Sequence, residues 1–191
     1  MRYEAGKNPV HQIVGLHNRE AGKQFEELIK GANALYADGN VAVVGKTPEP
    51  MRPLHPIEGG KFVACFEKKA EPDFKGAAEG GRCICFEAKH TSQGKITQNE
   101  VTDEQTKVLD QYTAIGAECF VLVSFNFFSF HKVPWGVWKN MKQIYGHKYM
   151  TPEEAAQYRI RFRCGVLDYL GKADEASQRI VNKAVKPQER K

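Results

Sequence analysis

The 191-residue sequence has no apolar run approaching the roughly 20 residues that a bilayer-spanning helix requires, and its opening "MRYEAGKNPVHQ" lacks the apolar segment of a signal peptide. A cytoplasmic protein with no membrane partner is therefore expected. Disulfide and zinc frameworks are also missing: the five cysteines, Cys65, Cys83, Cys85, Cys119 and Cys164, are odd in number, show no CxxC spacing and mostly fall inside apolar stretches. They read as reduced core residues. His131 and His147 lack the spacing of a metal-binding pair. Neither disorder nor a fibrous repeat is indicated, because 41% hydrophobic and 27% charged residues is an ordinary globular balance. The length suits one domain with a real core. The formal net charge of +5 fits an anionic partner without establishing one.

What is present begins with "HNREAGKQFEELIKGANALYAD", where Ala21, Phe25, Leu28, Ile29, Ala32, Leu35 and Tyr36 repeat at helical spacing. The pattern predicts an amphipathic helix from a cap near Asn18 to Asp38-Gly39. Glu26 sits at the edge of its buried face, where a carboxylate either points toward a site or is solvated. A short apolar strand, "NVAVVGK", follows. Then "TPEPMRPLHPIEGGKF" carries four prolines and a Gly-Gly, so it is expected to be extended and to project from the sheet. A loop of this length inside a compact domain is more often functional than idle, though a variable surface loop reads the same way.

After a possible strand "KFVACFEKK" comes the most informative stretch, "AEPDFKGAAEGGRCICFEAKHT". Its "RCICFEAK" alternates so that Cys83, Cys85, Glu87 and Lys89 face one way and Ile84, Phe86 and Ala88 the other. The glycine-rich connection can turn the chain back, which brings Asp73 close to Glu87. Two carboxylates holding Mg²⁺ make a water nucleophilic and neutralise developing charge. A lysine on the same strand face can orient that water or stabilise a pentacovalent phosphate. In isolation this PD...ExK pattern is short enough that a charged β-hairpin explains it equally well.

The surroundings supply context. "VTDEQTKVLDQYTAIG" has a capping-box spacing from Thr102 to Gln105, a stripe of Val108, Leu109, Tyr112 and Ile115, and Gly116 at its end. "AECFVLVSFNFF" then reads as a buried strand. The order of elements predicts an α/β fold with a mixed central sheet flanked by helices. "FHKVPWGVWKNMKQIYGHKYMT" places Trp135, Trp138, Met141, Ile144 and Tyr145 at near-helical spacing, as core or dimer-interface residues more readily than as base-stacking ones.

The blocks "NREAGKQFEELIKGANALY", "KTPEP", "DFKG", "FEAKHT", "EQTKVLDQYTAIGAECFVLVSF" and, more faintly, "LDYL", spread over residues 18 to 170, resemble the RecU-type Holliday junction resolvases of the PD-(D/E)XK nuclease superfamily. The resemblance implies a restriction-endonuclease-like core in a single nuclease domain, residues 1–191. It implies a homodimeric endodeoxyribonuclease that resolves four-way DNA junctions by paired symmetrical nicks, dependent on Mg²⁺ with Mn²⁺ able to substitute. By the same resemblance Asp73 and Glu87 bind metal, Lys89 stabilises the transition state and Gln105 adds to the metal shell, although one side-chain amide is not expected to serve both metal and cap. Glu26 joins the catalytic candidates. Glu71 stands where the family commonly has threonine and becomes a candidate ligand, and Glu104 stands where it usually has histidine.

The proline-rich loop, residues 47–62, is implied to be the stalk that enters the junction centre, with Arg52 and Lys61 near phosphates. Arg19, Lys46, Lys75 and Arg82, together with Arg2, Lys7, Lys68 and Lys69, are candidate DNA contacts, which give affinity and salt dependence more than sequence reading. "RIRFR", with Arg159, Arg161 and Arg163, is either a DNA-facing strand or a solvated one. Residues 172–191 read as a short polar helix with a basic end. Recombinase or branch-migration proteins are conceivable partners. Two other readings stand beside resolution: a PD-(D/E)XK nuclease acting on branched or linear duplex DNA, and a junction-binding protein without catalysis.

Overall fold

A computed structural model describes residues 9–48, 51–66 and 71–185. Arg2, Lys7, Lys68 and Lys69 lie outside the described residues, as do residues 186–191 of the basic end. The elements run α1 (Pro9–Asp38), β1 (Ala42–Lys46), β2 (Met51–Ile57), β3 (Lys61–Phe66), β4 (Phe74–Ala78), β5 (Arg82–Thr91), β6 (Ile96–Thr97), α2 (Asp103–Ala114), β7 (Glu118–Phe125), β8 (Ser129–Pro134), α3 (Trp135–Lys139), α4 (Met141–Tyr145), β9 (Tyr149–Met150), α5 (Pro152–Ala155), β10 (Arg161–Arg163), β11 (Val166–Asp168) and α6 (Ala173–Val185). Among the described residues no helix is long and apolar enough to cross a membrane.

The central sheet has the order β1-β4-β5-β7-β8, and only β5 and β7 pair in parallel; every other neighbouring pair is antiparallel. The fold is thus the mixed α/β arrangement the element order predicts. Alternation along β5 divides its side chains between two cores. Ile84 and Phe86 join Phe25, Ile29, Ala32 and Tyr36 of α1, while Cys85 joins Leu109 of α2 together with Trp135, Trp138 and Met141. On the α1 side Phe74, Phe86 and Phe120 stack across β4, β5 and β7 at centroid separations of 5.0 and 4.6 Å, both pairs inclined by 12°. That ladder fixes the lateral register of the strands carrying Asp73 and Glu87.

Several sequence expectations need correction. The first helix begins at Pro9, so Asn18 is an exposed interior residue and not its cap. No proline lies between the two positions to stop the helix. Ile115 is 80% exposed, because α2 ends at Ala114 before another turn can bring it onto the sheet. The tryptophan segment forms two short helices broken at Asn140, burying Trp135, Trp138 and Met141 and leaving Ile144 exposed. Both indole N–H groups are satisfied, Trp135 donating to Asp110 Oδ1 at 2.8 Å and Trp138 to Gln98 O at 3.3 Å, as core tryptophans require. Of the five cysteines, all free, only Cys85 is fully buried.

The proline-rich stretch is a β-hairpin, not a loop. β2 pairs with β3 in a two-stranded sheet of its own, with a register shift between Pro53 and His55 and a turn through Gly59 and Gly60, both at positive φ. Every residue of β2 is exposed, including Met51, Leu54 and Ile57. Pro53 and Pro56 lack N–H donors, which a ribbon with two open edges tolerates and a central strand does not. "KFVACF" is accordingly the return strand of this hairpin rather than part of the main sheet.

The chain's end folds back: α6 buries Ala176 in the α1-side core, and Asp168 Oδ1 accepts from the Lys172 and Ala173 N–H groups at its start, at 2.8 and 3.0 Å. Between β1 and β4, a Cβ on Gly76 would fall 2.1 Å from Val43 O and 2.6 Å from Val44 Cα. Gly76→Ala is therefore expected to destabilise the fold by about 1–3 kcal/mol through forced separation of β1 and β4. Thermal denaturation checks this, and an unchanged Tm would contradict the close β1–β4 approach.

Candidate active site

Asp73 stands at the entry to β4 and Glu87 midway along β5, and the antiparallel register that pairs Phe74 with Phe86 sets them side by side. Each is tied to the other's strand: Asp73 N donates to Glu87 Oε2 at 3.1 Å, and Ala88 N donates to Asp73 Oδ2 at 3.0 Å. Thr47, just past β1, braces the Pro-Asp step from the other side, its N–H donating to Asp73 O at 2.8 Å and its hydroxyl to Pro72 O at 2.7 Å. Sequence reasoning passed over Thr47; the only trace it left was a hydroxyl residue beside a turn-forming proline.

Glu87 is 1% exposed, and its other oxygen, Oε1, takes two donors. Lys89 Nζ lies 2.8 Å away and Gln105 Nε2 2.7 Å away. Gln105 reaches it from the first turn of α2 while closing the capping box: its Oε1 accepts from Thr102 N at 3.0 Å, and its own N–H donates to Thr102 Oγ1 at 3.3 Å. The carboxamide divides, oxygen to the cap and nitrogen to the carboxylate, so the atom that could ligate a cation is the one the cap holds, in keeping with the expectation that one amide does not serve both. The reverse orientation would set oxygen against Glu87 and NH₂ against the Thr102 N–H, so the chemistry admits one assignment.

Burial, with the Asp73 charge second, pushes the Glu87 carboxyl up to about 7 against the opposing pull of Lys89. Two carboxylates whose negative charge a single ammonium only partly offsets form the donor set that a hard divalent cation takes. Among the described residues no three His, Cys, Asp or Glu side chains converge on one point. Glu71 accordingly does not join Asp73 and Glu87; its carboxylate is bridged by Lys75. Burial works against the Lys75 ammonium, but Glu71 outweighs it and holds that pKa above the ordinary lysine value.

Glu26 is half-buried on α1 and ion-paired with Lys46 at the end of β1; no hydrogen bond among the described residues joins it to Asp73 or Glu87. Of the other cationic candidates, Arg19 is exposed on α1, and Arg52 and Lys61 are exposed on the hairpin. Lys75 Nζ sits 5.2 Å from the Tyr112 ring centre. Arg82 lies at the turn end of β5 with Nε 3.2 Å from Glu118 Oε2. Five residues of strand put it about 16 Å from Glu87, farther than its place beside the motif suggests.

A Pro-Asp step and a Glu-x-Lys strand locked together across an antiparallel ladder define a site of the PD-(D/E)XK class. The chain belongs to the RecU family: the family model described as "Recombination protein U" matches residues 20–175. It is 28% identical over 125 residues to the "Holliday junction resolvase RecU" of Lactiplantibacillus plantarum, covering 62% of this chain and 60% of the relative. It is 28% identical over 142 residues to the protein of the same name from Oceanobacillus iheyensis, covering 65% and 69%. The chain thus spans about 60% of the length of the first of these relatives. Among solved structures, Archaeoglobus fulgidus Hjc, described as a Holliday junction resolvase from an archaeal hyperthermophile, matches with a TM-score of 0.43 at 13% identity over 72% of this chain and 88% of that one.

The raised Glu87 pKa has a thermodynamic sign. A group whose folded pKa lies above its unfolded value of 4.5 contributes stability below that value and loses it as pH rises through about 7. In metal-free protein the Tm of Glu87→Gln minus that of wild type should therefore widen from pH 5 to pH 8, by an amount equivalent to at most about 3 kcal/mol. A gap independent of pH would contradict the buried, charge-crowded carboxylate.

Proposed function

We propose that this chain is a structure-specific endodeoxyribonuclease that resolves four-way DNA junctions by paired symmetrical nicks, acting as a homodimer in the cytoplasm. The observation that carries the reading is the joining of Asp73, Glu87 and Lys89 in a member of the RecU family. Relatives that carry the name Holliday junction resolvase support the choice of substrate.

Asp73 and Glu87 would hold Mg²⁺, or Mn²⁺ in its place, which when bound activates water and offsets charge developing on the phosphate. The chain's own groups do the rest. The Asp73 N–H and the Gln105 amide fix the two oxygens of Glu87, so the carboxylate is presented in one orientation. Gln105 acts as a positioning residue in this arrangement, since its oxygen is committed to the helix cap. Lys89 shares the strand face of Glu87 and brings an ammonium toward the scissile phosphate, where it steadies the water or the pentacovalent phosphorus. Lys46 and Lys75, paired with Glu26 and Glu71, remain the cationic candidates on β1 and β4 for the DNA backbone.

The hairpin β2–β3 is the stalk of this reading, entering the junction centre with Arg52 and Lys61 against phosphates. A homodimer supplies two such centres for two cuts, and recombinase or branch-migration proteins are the partners such a reaction calls for.

Labelled four-way junction, flap and linear duplex incubated with the protein and Mg²⁺ should yield paired nicks confined to the junction. Asp73→Ala should bind junction DNA but cut at least roughly a hundredfold more slowly, the scale of losing one electrostatic stabiliser. Equal cutting of linear duplex would contradict junction resolution, and full activity of the variant would contradict the assigned centre.

A further inference from the structure

The turn from β7 to β8 displays an aromatic side chain in an unusual way. Asn126 and Phe127 both hold left-handed backbone, with φ of 53° and 55°, a region that aromatic residues rarely occupy. Phe127 turns inward and stacks on His90 with ring centres 4.4 Å apart, while Phe128 is 86% exposed. Asn126 N donates to Thr91 O at 2.9 Å, so the turn sits at the end of β5, just past Lys89.

Beside Phe128 runs the segment leading into β10, held to β8 by Ile160 N donating to Phe130 O at 2.9 Å. Together they enclose a cleft of about 570 Å³ lined by Phe128, Phe130, Phe162, Arg159, Arg161 and Arg163. Phe162 is 45% exposed and packs at 5.1 Å on the buried ring of Phe130, which makes it a supported platform rather than a loose side chain. Arg161 is committed to Asp168 at 2.8 Å, whereas Arg159 and Arg163 are exposed and have no carboxylate partner among the described residues. Among the described residues no carboxylate lines the cleft.

We infer that this cleft binds an unpaired nucleotide of the DNA, its base stacked between Phe128 and Phe162 and its flanking phosphates held by Arg159 and Arg163. Exposed aromatic faces beside cations are what an unstacked base and its backbone need, and they give sequence-tolerant grip where a branched DNA opens. The cleft lies on the α1 side of the sheet at its β8 edge, so it is distinct from the Asp73–Glu87 centre while sharing the same end of the sheet. The inference rests on the proposed action on DNA and extends it to a second contact.

The test is fluorescence titration of an oligo-dT strand carrying one 2-aminopurine. Wild type should quench the probe. Phe128→Ala should abolish the quenching and weaken binding about tenfold, Phe128→Trp should restore both, and Arg163→Gln should lower the salt slope by about one. Phe128 is exposed enough that its removal does not threaten the fold. Undiminished quenching by Phe128→Ala, or equal affinity of wild type for a strand abasic at the probe position, would overturn the inference. A shift of Phe128→Ala from dimer to monomer in sedimentation, with DNA binding unchanged, would also overturn it by making this face a contact between copies. Cutting of a four-way junction by wild type is measured alongside: junction cutting without quenching discards the cleft alone, and quenching without cutting supports the cleft while discarding the nuclease reading.

Discussion

Everything at this end of the sheet depends on one buried carboxylate. Glu87 accepts from the backbone of Asp73, from the Gln105 amide and from Lys89, so a single side chain couples β4, β5 and the first turn of α2. A carboxylate at 1% exposure is costly unless each lone pair is answered. Even with these donors its pKa rises, because Asp73 adds like charge to burial. The fold tolerates that tension through the rigidity of its surroundings. The Thr102–Gln105 capping box anchors the amide, and the stacked Phe74, Phe86 and Phe120 on the opposite face leave the strands no freedom to slip. A slip of one residue would send Glu87 into the aromatic core and a phenylalanine into the site.

This division of labour between two faces explains the architecture. The α1 side is nearly pure hydrocarbon and ring, with polar exceptions paired internally, as in Tyr169 donating to Asn33 Oδ1 at 2.5 Å and Tyr36 to Asp168 Oδ1 at 3.0 Å. The α2 side carries the carboxylates, with apolar packing concentrated beneath them around Leu109, Trp135 and Trp138. Outside both cores stands the β2–β3 hairpin, whose strands pair with each other in a separate sheet. A rigid sheet that positions charge and an exposed ribbon outside both cores suit the proposed recognition of a DNA shape as distinct from a sequence.

Much of this was legible in the sequence because it rests on local periodicity. The two-residue alternation of "RCICFEAK" assigned Glu87 and Lys89 to one face, the Thr102–Gln105 spacing predicted the cap, and the glycine-rich turn brought Asp73 beside Glu87. What stayed hidden depends on partners distant in the chain. Nothing near Gln105 announces that its nitrogen will meet Glu87. Nothing near Glu26 announces that Lys46, twenty residues on, will claim it. The start of α1 was missed because a cap-like Asn18 is also tolerated on an exposed helical face. The proline-rich stretch concealed a hairpin because proline statistics describe strands that must donate on both sides, and β2 has no such obligation.

Glu87 is a buried, charge-crowded carboxylate, and the proposed function puts a divalent cation on it. Carbon-13 NMR of its side-chain carboxyl, titrated with and without Mg²⁺, tests this most directly. The metal-free midpoint is expected near 7 and should fall well below that value when Mg²⁺ is added. A midpoint at the ordinary glutamate value, unmoved by Mg²⁺, would contradict it.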